Sequence, residues 1–114
     1  MNIKSLDPRD LVVGLLDRSI CNVQVAAVLS DRWGIYAWGW NHMGLKGEGE
    51  HAEAFCLRRA NRSRLPNSTL WVASKRARNG KITTARPCEK CQPLVKSVSR
   101  VVYRDSRGEW VDFS

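Results

Sequence analysis

Apolar residues along this chain recur first at helical spacing, then at strand spacing, and then alternate between the two. Leu11, Val12, Leu15 and Leu16 share one helical face after Asp7-Pro8, which can start a helix running to about Ser19. Cys21 to Leu29 reads as a buried strand, Ser30-Asp31-Arg32 as a turn, and Trp33 to Trp40 as the hairpin partner. The glycines at 44, 47 and 49, with Gly39 just before them, make Asn41 to Glu50 a loop. From His51 to Arg64, Ala52, Phe55, Cys56 and Ala60 fall near a 3.6-residue period, and Pro66 lies just past the end. Asn67-Ser68 breaks the chain before a strand over Thr69 to Ser74, and a further helix is expected from Cys88 to about Ser97. Arg100 to Arg104 and Glu109 to Phe113 complete the order α-β-β-α-β-α-β-β, which predicts an α/β sheet with helices on both faces. Only Asp105-Ser106-Arg107-Gly108 separates the last two strands, so if they pair they are antiparallel, because a parallel crossover needs a dozen or more residues.

Length and composition sharpen this. A chain of 114 residues is expected to form one domain, residues 1–114, with a single core that needs no covalent staples. A hydrophobic fraction of 43% suits folding, and the apolar runs are too short and charge-interrupted to cross a membrane. Net charge is +8 and strongly local. Residues 58–107 carry fourteen Lys or Arg against Glu89 and Asp105, whereas the first 53 residues are acidic overall. A basic half of this kind fits a polyanionic partner, although a solvated surface partly covered by self-association as a homo-oligomer has the same composition.

The chemistry lies in two segments, His51-Ala52-Glu53 and Pro87-Cys88-Glu89-Lys90-Cys91. His51, Cys88 and Cys91 supply three zinc ligands, and Glu53 is a spare carboxylate. A structural zinc site takes four protein ligands, while a catalytic one keeps a position for water. Cys88 and Cys91, at i and i+3, would share one face of a helix whose first residue suits Pro87. The helix start and the metal both favour thiolate over thiol. A C-x-x-C pair alone is also compatible with a redox pair or half of a structural site, with Cys56, Cys21 or His42 closing the fourth position. Cys56 also suits the apolar face of its helix, Cys21 a buried position, and His42 either a pocket or an exposed loop. With cysteines needed as thiolates and no apolar signal region in residues 1–7, a reducing cytoplasm is the expected compartment.

The two segments in this order, H-x-E then P-C-x-x-C, resemble the cytidine deaminase-like superfamily of zinc-dependent nucleobase deaminases. The resemblance implies a three-layer α/β/α fold on a five-stranded mixed sheet. It implies one zinc ion per chain on His51, Cys88 and Cys91. It also implies a hydrolase acting on a cyclic amidine C–N bond, converting cytosine to uracil with loss of ammonia from C4. Glu53 would be the catalytic proton carrier. Backbone groups at Ala52 and Pro87-Cys88 would hold the base, and Asn41 matches the asparagine that ends the second strand and contacts the sugar. As a turn residue Asn41 has a competing structural role. Trp40, with Trp38 on the same strand face, would wall the pocket, stack a base or belong to the core. A short antiparallel connection between the last two strands resembles the branch that holds free-cytidine deaminases and several toxin-type nucleic-acid deaminases. The segment Lys75-Arg76-Ala77-Arg78-Asn79-Gly80-Lys81 is insertion-like, a basic tongue leading toward Pro87.

Three functions follow from these features. The first is a cytosine deaminase acting on single-stranded DNA or RNA, with Lys75, Arg76, Arg78 and Lys81 on phosphates. The second is a deaminase of free cytidine, deoxycytidine or a nucleotide in pyrimidine salvage, which needs no basic trough. The third is a zinc-stabilised binding module without turnover, against which Glu53 argues.

Overall fold

The computed structural model describes residues 6–43 and 49–113. Helix α1, Pro8–Leu15, starts where expected: the Asp7 side chain accepts from the Arg9 backbone N–H, and Pro8 occupies the first turn. A 3₁₀ turn over Leu16–Arg18 ends it. Strands β1, Val23–Asp31, and β2, Gly34–Trp40, form the antiparallel hairpin. Two-residue strands β3, His42–Met43, and β4, Gly49–Glu50, pair with each other, so the ends of the expected Asn41–Glu50 loop form a small ladder. The remainder of that loop, residues 44–48, lies outside the described residues. Helix α2, Ala52–Arg59, leads through a 3₁₀ turn, Arg62–Asn67, into strand β5, Thr69–Arg76. Strand β6, Ile82–Thr83, helix α3, Gln92–Val95, and strands β7, Arg100–Arg104, and β8, Trp110–Asp112, follow.

The main sheet runs β2-β1-β5-β7-β8, with β6 paired to β5 as a sixth strand. β5 and β7 are parallel, and β7 and β8 are antiparallel with Tyr103 opposite Val111. The short final connection therefore makes a hairpin. Strand β1 is buried on both faces, which accounts for its unbroken apolar pattern. Ala26 and Val28 join Val12, Leu15 and Leu16 of the α1 side, while Ala27 and Leu29 join Ala52, Cys56 and Val95 of the α2/α3 side. Two helical layers thus enclose one mixed sheet.

Several expected boundaries shift, among them that of β1, which runs Val23–Asp31 rather than Cys21 to Leu29. Helix α2 ends at Arg59 rather than Arg64, because Ala60 is extended and the Asn61 side chain caps the next turn by accepting from Ser63 N–H. The helix expected from Cys88 starts only at Gln92. Pro93 prefers a first turn, and the Cys91 and Gln92 N–H groups both donate to the Cys88 carbonyl at 3.0 Å, forming a tight turn ahead of the helix. Strand β5 runs to Arg76, and the supposed tongue is a hairpin. Arg76 N–H donates to the Lys81 carbonyl and Gly80 N–H to the Arg76 carbonyl, with Gly80 at φ 71°. Its sixth strand is the source of the difference from the expected five.

Opposite the site, Asp31 ties the β1–β2 turn to the segment after α2. Arg64 donates to both Asp31 carboxylate oxygens at 2.7 Å and lies 4.0 Å over the Tyr36 ring. The Asp31 side chain is covered while Arg64 is 26% exposed, so this is a half-buried bidentate pair.

Candidate metal centre and its cavity

The start of α2 and the turn before α3 meet at one end of the sheet. His51 is the N-cap of α2, and its side chain makes no capping bond; the ring turns away toward the cysteines. His51 Nδ1 stands 3.1 Å from Cys91 Sγ and 3.5 Å from Cys88 Sγ. All three ligand atoms lie within 4.8 Å of one another, the one such His/Cys/Asp/Glu group among the described residues. Zinc bonds of about 2.3 Å to sulfur and 2.0–2.1 Å to nitrogen place tetrahedral ligand atoms roughly 3.5–3.8 Å apart, so this donor set fits zinc with small adjustments. Burial raises the Cys91 thiol far above its ordinary range, and the nearby Glu53 charge adds to this. A thiolate at that position therefore calls for a cation beside it.

The other candidate ligands stand outside this three-ligand group, although Cys21 and His42 line the adjoining cavity. Cys56 is fully buried on the core face of α2, and burial pushes its thiol well up. Cys21 is half-buried rather than buried, with its thiol directed at the Asn41 carbonyl at 3.8 Å. His42 places Nδ1 2.7 Å from the Trp40 carbonyl and packs against Phe55.

Beside the three ligand residues lies a cavity of about 330 Å³. Its lining includes His51, Ala52, Glu53 and Cys88, together with Val25, Asn41, Ser74 and Ala85. Glu53 is 5% exposed. Burial lifts its carboxyl above the ordinary carboxylate range, opposed by a backbone hydrogen bond, by His51 and by the Cys91 thiol. A buried carboxylate next to a three-ligand metal centre can move protons for a substrate seated in the cavity.

The remaining expected residues divide. Asn41 lines the cavity but is also a fastener: Oδ1 accepts from Ser19 Oγ and Val25 N–H, and Nδ2 donates to the Val23 carbonyl at 2.8 Å. One amide proton is left over. Pro87 is buried, and its carbonyl accepts from Gln92 Nε2 at 3.2 Å. Trp40 is not in the cavity lining; it packs against His42, Phe55 and the α1-side core. Lys75 is half-buried, and its ammonium makes a surface pair with the exposed Asp17 carboxylate at 2.7 Å. Arg76, Arg78 and Lys81 are exposed on the β5–β6 hairpin. That hairpin is fastened to the cavity wall, where Ser74 Oγ contacts Thr83 through both its carbonyl, at 3.0 Å, and its hydroxyl, at 2.8 Å.

Sequence reasoning missed Arg86, Thr84 and Ser74, all of which line the cavity. For Arg86 a signal existed: it adjoins Pro87-Cys88, so it must lie near the metal ligands.

Comparison with known proteins bears on the same segments. The family model of the cytidine and deoxycytidylate deaminase zinc-binding region matches residues 11–104. Among curated proteins, none matches. A crystal structure of cytidine deaminase from Burkholderia pseudomallei is similar, with 17% identity and a TM-score of 0.74, over 94% of this chain and 89% of that one. A mutant cytidine deaminase from Mycobacterium tuberculosis is similar at 16% identity and a TM-score of 0.59, over 87% of this chain and 85% of that one. At these identities the likeness shows the fold.

Proposed function

Because this chain belongs to the family of the cytidine and deoxycytidylate deaminase zinc-binding region, we propose that it hydrolyses cytosine to uracil and ammonia within single-stranded nucleic acid. His51, Cys88 and Cys91 would hold the zinc ion. Bound there, zinc supplies a water whose pKa is lowered to about 7. Glu53 takes a proton from the attacking water at a carboxylate oxygen and delivers it to N3 of the ring. It then takes the proton of the new C4 hydroxyl and passes it to the amine, so that the C4–N bond breaks, ammonia leaves and the C4 carbonyl of uracil forms. Such acid–base work is worth about 10²–10⁴ in rate, and burial, by disfavouring the charged carboxylate, strengthens Glu53 as the base. The Ala52 backbone at the open N-terminus of α2 and the Pro87-Cys88 segment hold the base. The spare amide proton of Asn41 serves a sugar oxygen.

The observation that carries the polymer reading is the β5–β6 hairpin. Among the described residues, Arg76, Arg78 and Lys81 have no carboxylate within 4.0 Å, and the hairpin is joined to the cavity wall through Ser74 and Thr83. A strand whose target base enters the cavity would lay its phosphates along these cations. The base must be unpaired or extruded, since cytosine stacked in a duplex is out of reach. A second reading, a deaminase of free nucleoside or nucleotide, draws support from the likeness to two cytidine deaminases, while the antiparallel β7–β8 pair is compatible with both readings.

Pure zinc-loaded protein incubated with cytidine, deoxycytidine, dCMP, single-stranded DNA and RNA separates them. The polymer reading expects uracil chiefly in a polynucleotide. Efficient turnover of monomers with polymers untouched would replace it with the second reading, and no uracil in any arm would remove both.

A further inference from the structure

Arg86 stands in the cavity wall two residues before Cys88. It is exposed, yet among the described residues it is the one Lys or Arg that lines this cavity. No carboxylate of the described residues lies within 4.0 Å of it. The cavity's acids do not neutralise it: Glu50 is tied to Arg58 at 2.8 Å, and Glu53 is buried on the floor. Instead, the Arg86 guanidinium sits 5.4 Å from the Phe113 ring centre, and Phe113 packs edge-on against Tyr103 at 6.4 Å. An aromatic face orients a guanidinium without cancelling its charge. The result is a cation with no carboxylate partner among the described residues, held beside an aromatic ring, in the lining of the cavity that also holds the buried Glu53.

We propose that Arg86 binds a phosphate group attached to the target cytidine and thereby selects substrates that carry one. The inference rests on the deaminase reading of this cavity and narrows its substrate class. A guanidinium fork matches phosphate oxygens in pairs, which a neutral cavity wall would not. The phosphate is either the monoester of a free nucleotide or the diester next to the target base in a strand. The chemistry recognised is the same, and the substrate arms separate the two sources.

The test compares parent, Arg86→Gln and Arg86→Lys proteins, all zinc-loaded, on deoxycytidine, dCMP and a short single-stranded oligonucleotide with one cytosine. A charge-assisted hydrogen bond is worth roughly tenfold to a hundredfold in binding. Arg86→Gln should therefore raise KM for a phosphate-bearing substrate at least about tenfold more than KM for deoxycytidine. Arg86→Lys should recover part of that difference, because it restores charge but not the fork. Calorimetric binding of dUMP against deoxyuridine provides a readout independent of turnover: the parent should prefer dUMP, and Arg86→Gln should lose the preference. A selective effect on dCMP with the oligonucleotide unaffected identifies the monoester, and the reverse identifies the diester. Equal changes for deoxycytidine and both phosphate substrates, together with an unchanged dUMP preference, would overturn the proposal. If none of the three substrates is deaminated by the parent, the deaminase reading fails, while the dUMP comparison still decides whether Arg86 takes a phosphate.

Discussion

Gly39→Ala probes whether the helix carrying His51 and Glu53 needs its close approach to strand β2. A Cβ built on Gly39 would lie 2.6 Å from Phe55 Cδ2, 3.0 Å from Cys56 N and 3.3 Å from Cys56 Cα. Carbon atoms pack best near 3.5–4.0 Å, so the ring must retreat by about 1 Å and the α2 backbone by several tenths. The ring has little room to do so, since it packs 4.4 Å from the His42 ring and 5.9 Å from Trp40, centre to centre. Overpacking of this kind costs about 1–3 kcal/mol. At roughly 4 °C per kcal/mol for a domain of this size, thermal unfolding should fall by about 4–12 °C. The displacement runs along α2 to its first turn, where His51 and Glu53 stand, and a misplacement near 1 Å can lower turnover about 10²-fold. Circular dichroism melts, zinc content per chain and uracil formation measure the three consequences. Gly14→Ala is the control: nothing lies within 4 Å of the added carbon, and alanine suits α1, so its stability should hold or rise by about 0.5–1 kcal/mol. If Gly39→Ala melts with the parent and keeps full activity, close packing of β2 on α2 does not position the site.

Glu53→Gln keeps the side chain's size and removes its proton transfer, so turnover should fall at least about 10²-fold while the bound zinc, measured by elemental analysis, stays near one per chain. Arg64→Ala removes both charge-assisted bonds to Asp31, leaving it the Trp33 N–H, and should cost about 1–3 kcal/mol in urea unfolding. The same pair sets a pH dependence: the Arg64 hydrogen bonds hold the Asp31 carboxyl below its ordinary range, so its stabilisation is complete above the unfolded value near 3.9 and is lost as pH falls through the lower folded value. Acid unfolding of Asp31→Asn should lack that contribution, and an acid limb identical to the parent's would exclude it. Neutralising Arg76, Arg78 and Lys81 should weaken binding to single-stranded DNA and flatten its salt slope by about 0.7 per lost contact, whereas Lys75→Gln, whose ammonium already pairs with Asp17, should leave the slope near the parent's.

The sequence by itself determined what depends on local order and chemical type. A histidine with glutamate two residues on, and a Pro-Cys-x-x-Cys segment, carry the family's chemistry wherever the chain folds them. The period of Val12, Leu15 and Leu16, the unbroken run through β1, and the four-residue link before β8 follow from backbone geometry that acts over a few residues. Tertiary structure decided what depends on which groups meet. Helix lengths changed because Asn61 and Pro93 impose turns that outweigh the apolar period around them. Lys75 and Arg76 are neighbours in a basic run, yet β-pairing turns Lys75 toward Asp17, 58 residues away, and leaves Arg76 exposed. The places of Trp40 and Arg86 were decided in the same way. Phe55 and His42 draw the indole into packing, while the approach of β6 to β5 and the Phe113 ring set Arg86 at the cavity rim. Charge and motif are properties of residues, but a free cation beside a cavity is a property of pairwise distances, and those exist only once distant strands are in register.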